Sequence, residues 1–107
     1  MRITVTARHC AVPDELRARA RALVERLAKV ASRPHDGQVI FWADHGLAMV
    51  ELRLHTARGN VAVARAEAED HRTALDRAAD RVRRQLDKAA AKRSGPARRR
   101  AVARESR

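Results

Sequence analysis

Aromatic residues are scarce in this chain of 107 residues, where they make up 2% of the sequence and comprise only Phe41 and Trp42. Proteins that bind single-stranded nucleic acid by stacking present several exposed aromatic rings to the bases. The composition therefore argues against that binding mode. We interpret Trp42 as a packing residue and expect a shallow core filled by aliphatic side chains and alanine.

The residues that build metal, redox and catalytic sites are equally few. Cys10 is the only cysteine, which excludes an internal disulfide and indicates a reducing compartment. The five histidines include no pair at helical metal-ligand spacing, and the four glycines are isolated turn residues rather than a phosphate-binding loop. No group of titratable residues stands out as a catalytic constellation. We therefore predict no catalytic residues, no enzyme activity, no metal, no cofactor and no small-molecule substrate.

Long apolar runs are also missing, so the sequence predicts no membrane span. Met1 and Arg2 lead directly into a strand-like alternation, which is unlike a secretory signal peptide. We expect a soluble cytoplasmic protein that has no membrane partner and is a monomer when free. Its length is typical of one domain that can bury a core without a disulfide or a metal.

Positive charge is what the chain has in excess. It contains 24 Lys and Arg against 13 Asp and Glu, for a net charge of +11. Arginine supplies 21 of the 24 cations, and its guanidinium suits bidentate contacts with phosphate. A bias toward GC-rich codons would explain the ratio of Arg to Lys, but it does not explain the net charge. The charge predicts a nucleic-acid partner.

Alternation and helical periodicity predict an α+β domain of order β-α-β-β-β-α. The predicted elements are helices over about 14–31 and 70–93 and strands over 2–7, 38–44, 47–56 and 61–69. Each helix has one apolar stripe, so both should pack side by side on one face of a four-stranded sheet. The strands that flank the first helix should be parallel and joined by a right-handed crossover.

Two apolar patterns specify how the helices should pack. The last strand places an alanine at every second position, which would let a helix lie close to the sheet: Ala62, Ala64, Ala66 and Ala68. The predicted stripe of the first helix is Leu16, Ala20, Leu23, Leu27 and Val30. The predicted stripe of the second helix is Leu75, Ala78, Ala79, Val82, Leu86 and Ala89.

The second helix also carries a row of cations at helical spacing, which we call the basic ridge: Arg77, Arg81, Arg84, Lys88 and Lys92. One face of the helix can dock on the core while the ridge presents charge to an anion. The alternative is a solvated face without a ligand, because Asp76, Asp80 and Asp87 supply local counter-charge and Asp80–Arg84 is a favourable pair. A ridge of this kind would contact phosphates and would position the protein without reading bases.

The pattern stops at Ser94, which divides the chain into a folded domain over 1–93 and a tail over 94–107. The tail contains five Arg and one Glu and shows no periodicity. We expect it to be a disordered, Arg-rich arm. It either adds non-specific charge or follows an RNA strand.

The second helix contains the run Asp70-x-x-x-Ala74-Leu75-Asp76-x-x-x-Asp80-Arg81-Val82-x-Arg84-Gln85-Leu86-x-Lys88. With the opening RITVTARH, the Leu16-Arg17 start of the first helix and the strand Gln38-Val39-Ile40, this run resembles the ribosome hibernation factors. These are the short hibernation-promoting factor and the ribosome-associated inhibitor, in the sigma-54 modulation protein-like family. The resemblance covers about residues 1–93 and implies the same β-α-β-β-β-α fold.

The resemblance also implies a function. Such proteins bind the small ribosomal subunit and its ribosomal RNA in the channel for messenger and transfer RNA, and they inhibit translation under stress or in stationary phase. Arg81, Arg84 and Lys88 match basic family positions on the second helix, and Arg26 and Lys29 match positions on the first. The full set of candidate RNA-binding residues is Arg26, Lys29, Arg77, Arg81, Arg84, Lys88, Lys92 and Arg93. The alternative is a general module for double-stranded or structured RNA. Whether the protein promotes or prevents ribosome pairing stays open, since both occur among relatives.

Overall fold

The structure of the protein is a computed structural model that describes residues 1–103, with side chains described for residues 1–92. The elements, in chain order, are β1 (Arg2–Ala7), α1 (Asp14–Val30), β2 (Asp36–Asp44), β3 (Leu47–His55), β4 (Val61–Ala68) and α2 (His71–Ala103). A short 3-10 turn, Ala57–Gly59, connects β3 to β4. This order confirms the predicted β-α-β-β-β-α sequence of elements.

The four strands form one mixed sheet in the order β1-β2-β3-β4. β1 pairs with β2 in parallel, with Val5 opposite Val39, as expected for strands joined through a helix. β2–β3 and β3–β4 are antiparallel hairpins, in which Val39 lies opposite Leu52 and Leu52 opposite Ala64. β1 and β4 are therefore the edge strands of the sheet. Arginine side chains form hydrogen bonds with the backbone of both.

The core lies between one face of the sheet and the two helices. Its largest fully buried side chains are Phe41, Leu52, Leu54, Leu75, Val24, Val39, Val50 and Val82. The alternating alanines of β4 are all buried, as predicted, and they leave room for α2 to lie close to the sheet. The predicted α+β class, with two helices on one face of a four-stranded sheet, is confirmed.

The apolar stripes differ from the prediction at their edges. On α1, Val24 is fully buried whereas Leu23 is only partly buried, because the closest approach of α1 to the sheet is centred on Val24. A Cβ added to Gly37 of β2 would lie 2.6 Å from Cγ1 of Val24, so only glycine fits beneath the helix at that position. On α2, the predicted core residue Ala89 is exposed, because it lines an open cleft rather than the core.

The second helix extends further than expected. Its backbone is helical to Ala103, beyond the predicted end at Arg93, and it continues through Gly95 and Pro96, two residues that disfavour a helix interior. The predicted disordered tail over 94–107 lies outside the described side chains, and its last four residues lie outside the described backbone. Within the described residues, no helix is both long enough and apolar enough to cross a membrane.

Candidate nucleic-acid interface

The start of α2 is held in place by local hydrogen bonds. The carboxylate of Asp70 accepts a hydrogen bond from the backbone N–H of Thr73 at 2.8 Å and another from the Thr73 hydroxyl at 3.0 Å. The bond from the Thr73 backbone lowers the pKa of Asp70 below its usual value. One residue on, Nε2 of His71 lies 2.8 Å from the carbonyl oxygen of Trp42, which ties the helix to the end of β2. The basic ridge that follows therefore projects from a fixed helix.

The first two residues of the basic ridge contact the edge of the sheet. Nη1 of Arg77 donates to the carbonyl of Glu67 at 2.8 Å, and Nη1 of Arg81 donates to the carbonyl of Arg65. Gln85 continues the series: its Nε2 donates to the carbonyl of Val63 at 2.6 Å, and its Oε1 accepts from the Val63 N–H at 3.1 Å. Three side chains spaced one helical turn apart thus occupy the outward-facing backbone groups of β4.

The opposite edge of the sheet is covered in the same way. Nη1 of Arg17 donates to the carbonyl of Val5 at 3.4 Å, and Nη1 of Arg21 donates to the carbonyl of Ile3 at 3.2 Å. Uncovered strand edges invite pairing with other chains, and side chains that occupy their carbonyls reduce that tendency. Part of the arginine content therefore stabilises the fold, a role that the sequence alone did not reveal.

The other members of the basic ridge are free of protein partners. Among the described side chains, Arg84, Lys88 and Lys92 are exposed and form no hydrogen bond or ion pair. On α1, Arg26 and Lys29 are likewise exposed and without a partner in the described part of the chain. The side chain of Arg93 lies outside the described residues. These unpaired cations keep all their donors available for an anion.

Two of the three acidic residues of α2, Asp76 and Asp87, are paired with arginines outside the basic ridge. Asp76 lies on the flank that faces α1, where it accepts two hydrogen bonds from Arg19 at 3.0 and 3.1 Å. Asp87 pairs with Arg83 at 3.1 Å. The prediction of an Asp80–Arg84 ion pair is wrong, because both side chains are described and no ion pair joins them. This arrangement argues against a ridge that serves only as a self-neutralised, solvated face.

The open face of the sheet carries a separate charged cluster. Glu51 is only 6% exposed, and its carboxylate accepts hydrogen bonds from Nε of Arg53 and from Nη2 of Arg65, the latter at 3.0 Å. Burial raises the pKa of Glu51, but the hydrogen bonds from Arg65 and Arg53 outweigh it and hold the pKa below its usual value. The Arg65 guanidinium also lies 5.2 Å from the ring centroid of Trp42. Trp42 is thus covered by a cation of the same protein.

Other kinds of site find little support within the described residues. No group of three or more His, Cys, Asp or Glu side chains is placed to hold a metal ion there. Cys10 is partly buried, and its thiol lies 3.7 Å from the carbonyl of Phe41. The residues that sequence reasoning missed are Arg33 and Arg58, which the fold brings to one cleft with Lys92. Both lie in connecting segments without periodicity, so no sequence pattern marked them.

Residues 3–94 match the sequence profile of the family described as sigma 54 modulation protein / S30EA ribosomal protein. Two solved structures share the fold. The protein Y N-terminal domain from Thermus thermophilus is 22% identical with a TM-score of 0.70, and the alignment covers 82% of this chain and 98% of that one. A ribosomal subunit interface protein from Coxiella burnetii is 21% identical with a TM-score of 0.68, covering 85% and 99%. No curated protein sequence matches the chain at a significant level.

Proposed function

The chain belongs to the sigma 54 modulation protein / S30EA ribosomal protein family, and on this premise we propose that it is a hibernation factor that binds the small ribosomal subunit. The family match confirms the resemblance stated from the sequence, and it indicates a ribosome-associated protein of a non-enzymatic kind. In our proposal, the domain occupies the channel used by messenger and transfer RNA, and it inhibits translation under stress or in stationary phase. The site of action would be the cytoplasm, on the ribosome.

One observation carries this proposal: three consecutive members of the basic ridge have no partner among the described side chains. Arg84, Lys88 and Lys92 are exposed, and the nearby carboxylates of Asp76 and Asp87 are engaged by other arginines. An unneutralised row of cations on a rigid helix is suited to the phosphates of structured RNA, which a protein recognises through shape and backbone. Ribosomal RNA is the structured RNA that the family membership points to.

The proposed mechanism is steric and electrostatic. Phosphate contacts from the basic ridge and from Arg26 and Lys29 on α1 would hold the helical layer against ribosomal RNA. The body of the domain would then fill space that messenger or transfer RNA needs, so that initiation is blocked. No bond is made or broken in this scheme, and no cofactor is required. We propose that the protein acts as a monomer when free of the ribosome.

Sedimentation with purified ribosomes tests the proposal. The informative variant is Arg84→Glu/Lys88→Glu, since neither side chain forms a hydrogen bond or an ion pair with a described residue. The matched control is Arg8→Glu/Arg72→Glu, which reverses two exposed charges at the opposite end of the sheet. Arg8 lies there because its backbone N–H donates to the carbonyl of Phe41, and Arg72 lies there because α2 begins at that end. We expect the ridge variant to leave the ribosome peak and the control to stay in it. For the unmodified protein, log affinity should fall steeply with log salt, by about 0.7–0.9 for each phosphate contact.

A duplex-RNA competitor separates this function from the alternative of a general RNA-binding module. Retention on small subunits and whole ribosomes in the presence of competitor supports the hibernation factor. Loss of the protein to the duplex supports the general module and contradicts the proposal. Co-sedimentation of the ridge variant at the level of the unmodified protein would show that the basic ridge is not the binding surface. The position of the ribosome peak also shows whether ribosomes pair.

A further inference from the structure

A cleft of about 1100 Å³ opens at the end of the sheet where β2 begins and β3 ends. Its walls come from three parts of the chain: the segment between α1 and β2, the segment between β3 and β4, and the outer part of α2. Each part contributes one cation to the lining, namely Arg33, Arg58 and Lys92. Within the described residues, no carboxylate lines this cleft.

The three cations are unpaired. The side chains of Arg33, Arg58 and Lys92 form no hydrogen bond or ion pair with another described residue. A concave surface lined by charge of one sign focuses the electrostatic potential and concentrates ions of opposite sign. The rest of the lining combines hydrogen-bonding residues, among them Ser32 and Asn60, with the apolar residues Pro34, Ala57 and Ala89. The lining therefore matches a ligand that carries phosphate groups together with other polar atoms.

The two loops of the cleft are held to each other. The N–H of Ala57 donates to the carbonyl of Ser32 at 3.1 Å, and Nε2 of His35 lies 3.0 Å from the carbonyl of Thr56. Arg33 and Arg58 both have left-handed backbone, with φ values of 50° and 64°. This conformation is uncommon for residues other than glycine, asparagine and aspartate. The two cations thus sit on left-handed turns in segments that are hydrogen-bonded to each other.

We propose that this cleft binds phosphate groups of a nucleotide, which an RNA strand or a free nucleotide would supply. The inference rests on the proposed RNA-binding function, because Lys92 belongs both to the basic ridge and to the cleft. A strand that follows the ridge on α2 reaches the cleft at Lys92 and meets Arg33 and Arg58 there. The binding surface then extends from the helical layer to the end of the sheet.

The test is an NMR titration of the full chain with two probes, a short single-stranded RNA and adenosine triphosphate. The main variant is Arg33→Asn/Arg58→Asn, because asparagine removes the charge while tolerating left-handed backbone. A second variant, Lys92→Gln, changes only an exposed helical residue. The matched control is Arg8→Gln/Arg72→Gln, which removes two charges at the far end of the sheet. We expect the amide signals of Ser32, Arg33, His35 and residues 56–60 to shift with a probe in the unmodified protein and in the control.

Both cleft variants should lose those shifts, and the main variant should lower the salt slope of RNA binding by about 1.4, the value for two phosphate contacts to a single strand. Shifts with RNA alone identify a strand as the source, whereas equal shifts with adenosine triphosphate identify a free nucleotide. Unchanged shifts in the variants, or shifts confined to other regions, overturn the inference. Failure of the proposed function gives a different result from failure of the cleft inference. In that case the unmodified protein would bind a probe in the cleft but would not sediment with ribosomes.

Discussion

Glu51 makes a quantitative prediction about stability and pH. Its carboxylate is buried and takes hydrogen bonds from Arg53 and Arg65, which are 46% and 63% exposed. Replacement of Glu51 by Gln keeps the shape and removes the charge. Hydrogen bonds to a charged group contribute about 1.5–3 kcal/mol, and exposure of both arginines places the effect at the low end. We expect Glu51→Gln to lower the free energy of unfolding by about 1.5 kcal/mol at neutral pH.

The pH dependence follows from the direction of the pKa shift. Because the folded-state pKa of Glu51 lies below its unfolded value, the stabilisation is complete above the unfolded pKa and is lost as pH falls through the folded one. Urea unfolding between about pH 7 and about pH 3 should therefore show the gap between the unmodified protein and Glu51→Gln closing in acid. The control is Glu67→Gln, an exposed carboxyl on the same sheet face. A gap that is absent, or that stays constant with pH, would refute the reasoning.

Two further substitutions test the packing and the sheet edge. Gly37→Ala places a Cβ 2.6 Å from Cγ1 of Val24 and should destabilise the domain by about 1–3 kcal/mol in urea unfolding; unchanged stability would mean that α1 lies further from the sheet. Gln85→Ala removes both hydrogen bonds to Val63, so hydrogen exchange at the Val63 amide should become faster. An unchanged exchange rate would show that the contact does not protect the edge of β4.

The fold was predictable because its periodicities are strong and local. The alanines of β4 and the stripe from Leu75 to Leu86 indicate which face of each element is buried, and the structure confirms both. The stripe of α1 was predicted with Leu23 rather than Val24, because the two residues are neighbours and helical spacing accommodates either. Burial of Val24 depends on where α1 crosses β2 at Gly37, which is a tertiary property. The end of α2 was missed because the apolar periodicity stops at Ser94 and because Gly95 and Pro96 disfavour a helix, whereas the backbone stays helical through them.

The part of the candidate site that lies on a single helix was predictable from the sequence. The part that the fold assembles from separate segments was not. Spacing alone placed Arg84, Lys88 and Lys92 on one exposed row, as the structure has them. It did not distinguish them from Arg77 and Arg81, whose contacts with β4 depend on how α2 is aligned along that strand. The cleft cations come from loops that are distant in sequence, and only the folded chain brings them together.

The engagement of Arg77 and Arg81 at the sheet edge is compatible with the RNA binding that we propose for them. In each case a single terminal nitrogen, Nη1, donates to a strand carbonyl, whereas a guanidinium has five N–H donors. The contact fixes the plane of the group while leaving other donors for a phosphate, and a fixed group loses less conformational entropy on binding. A lysine at either position would have one nitrogen to divide between carbonyl and phosphate. The edge contacts therefore give a structural reason for arginine at the start of the basic ridge, where one side chain can protect the strand edge and also serve the proposed phosphate contact.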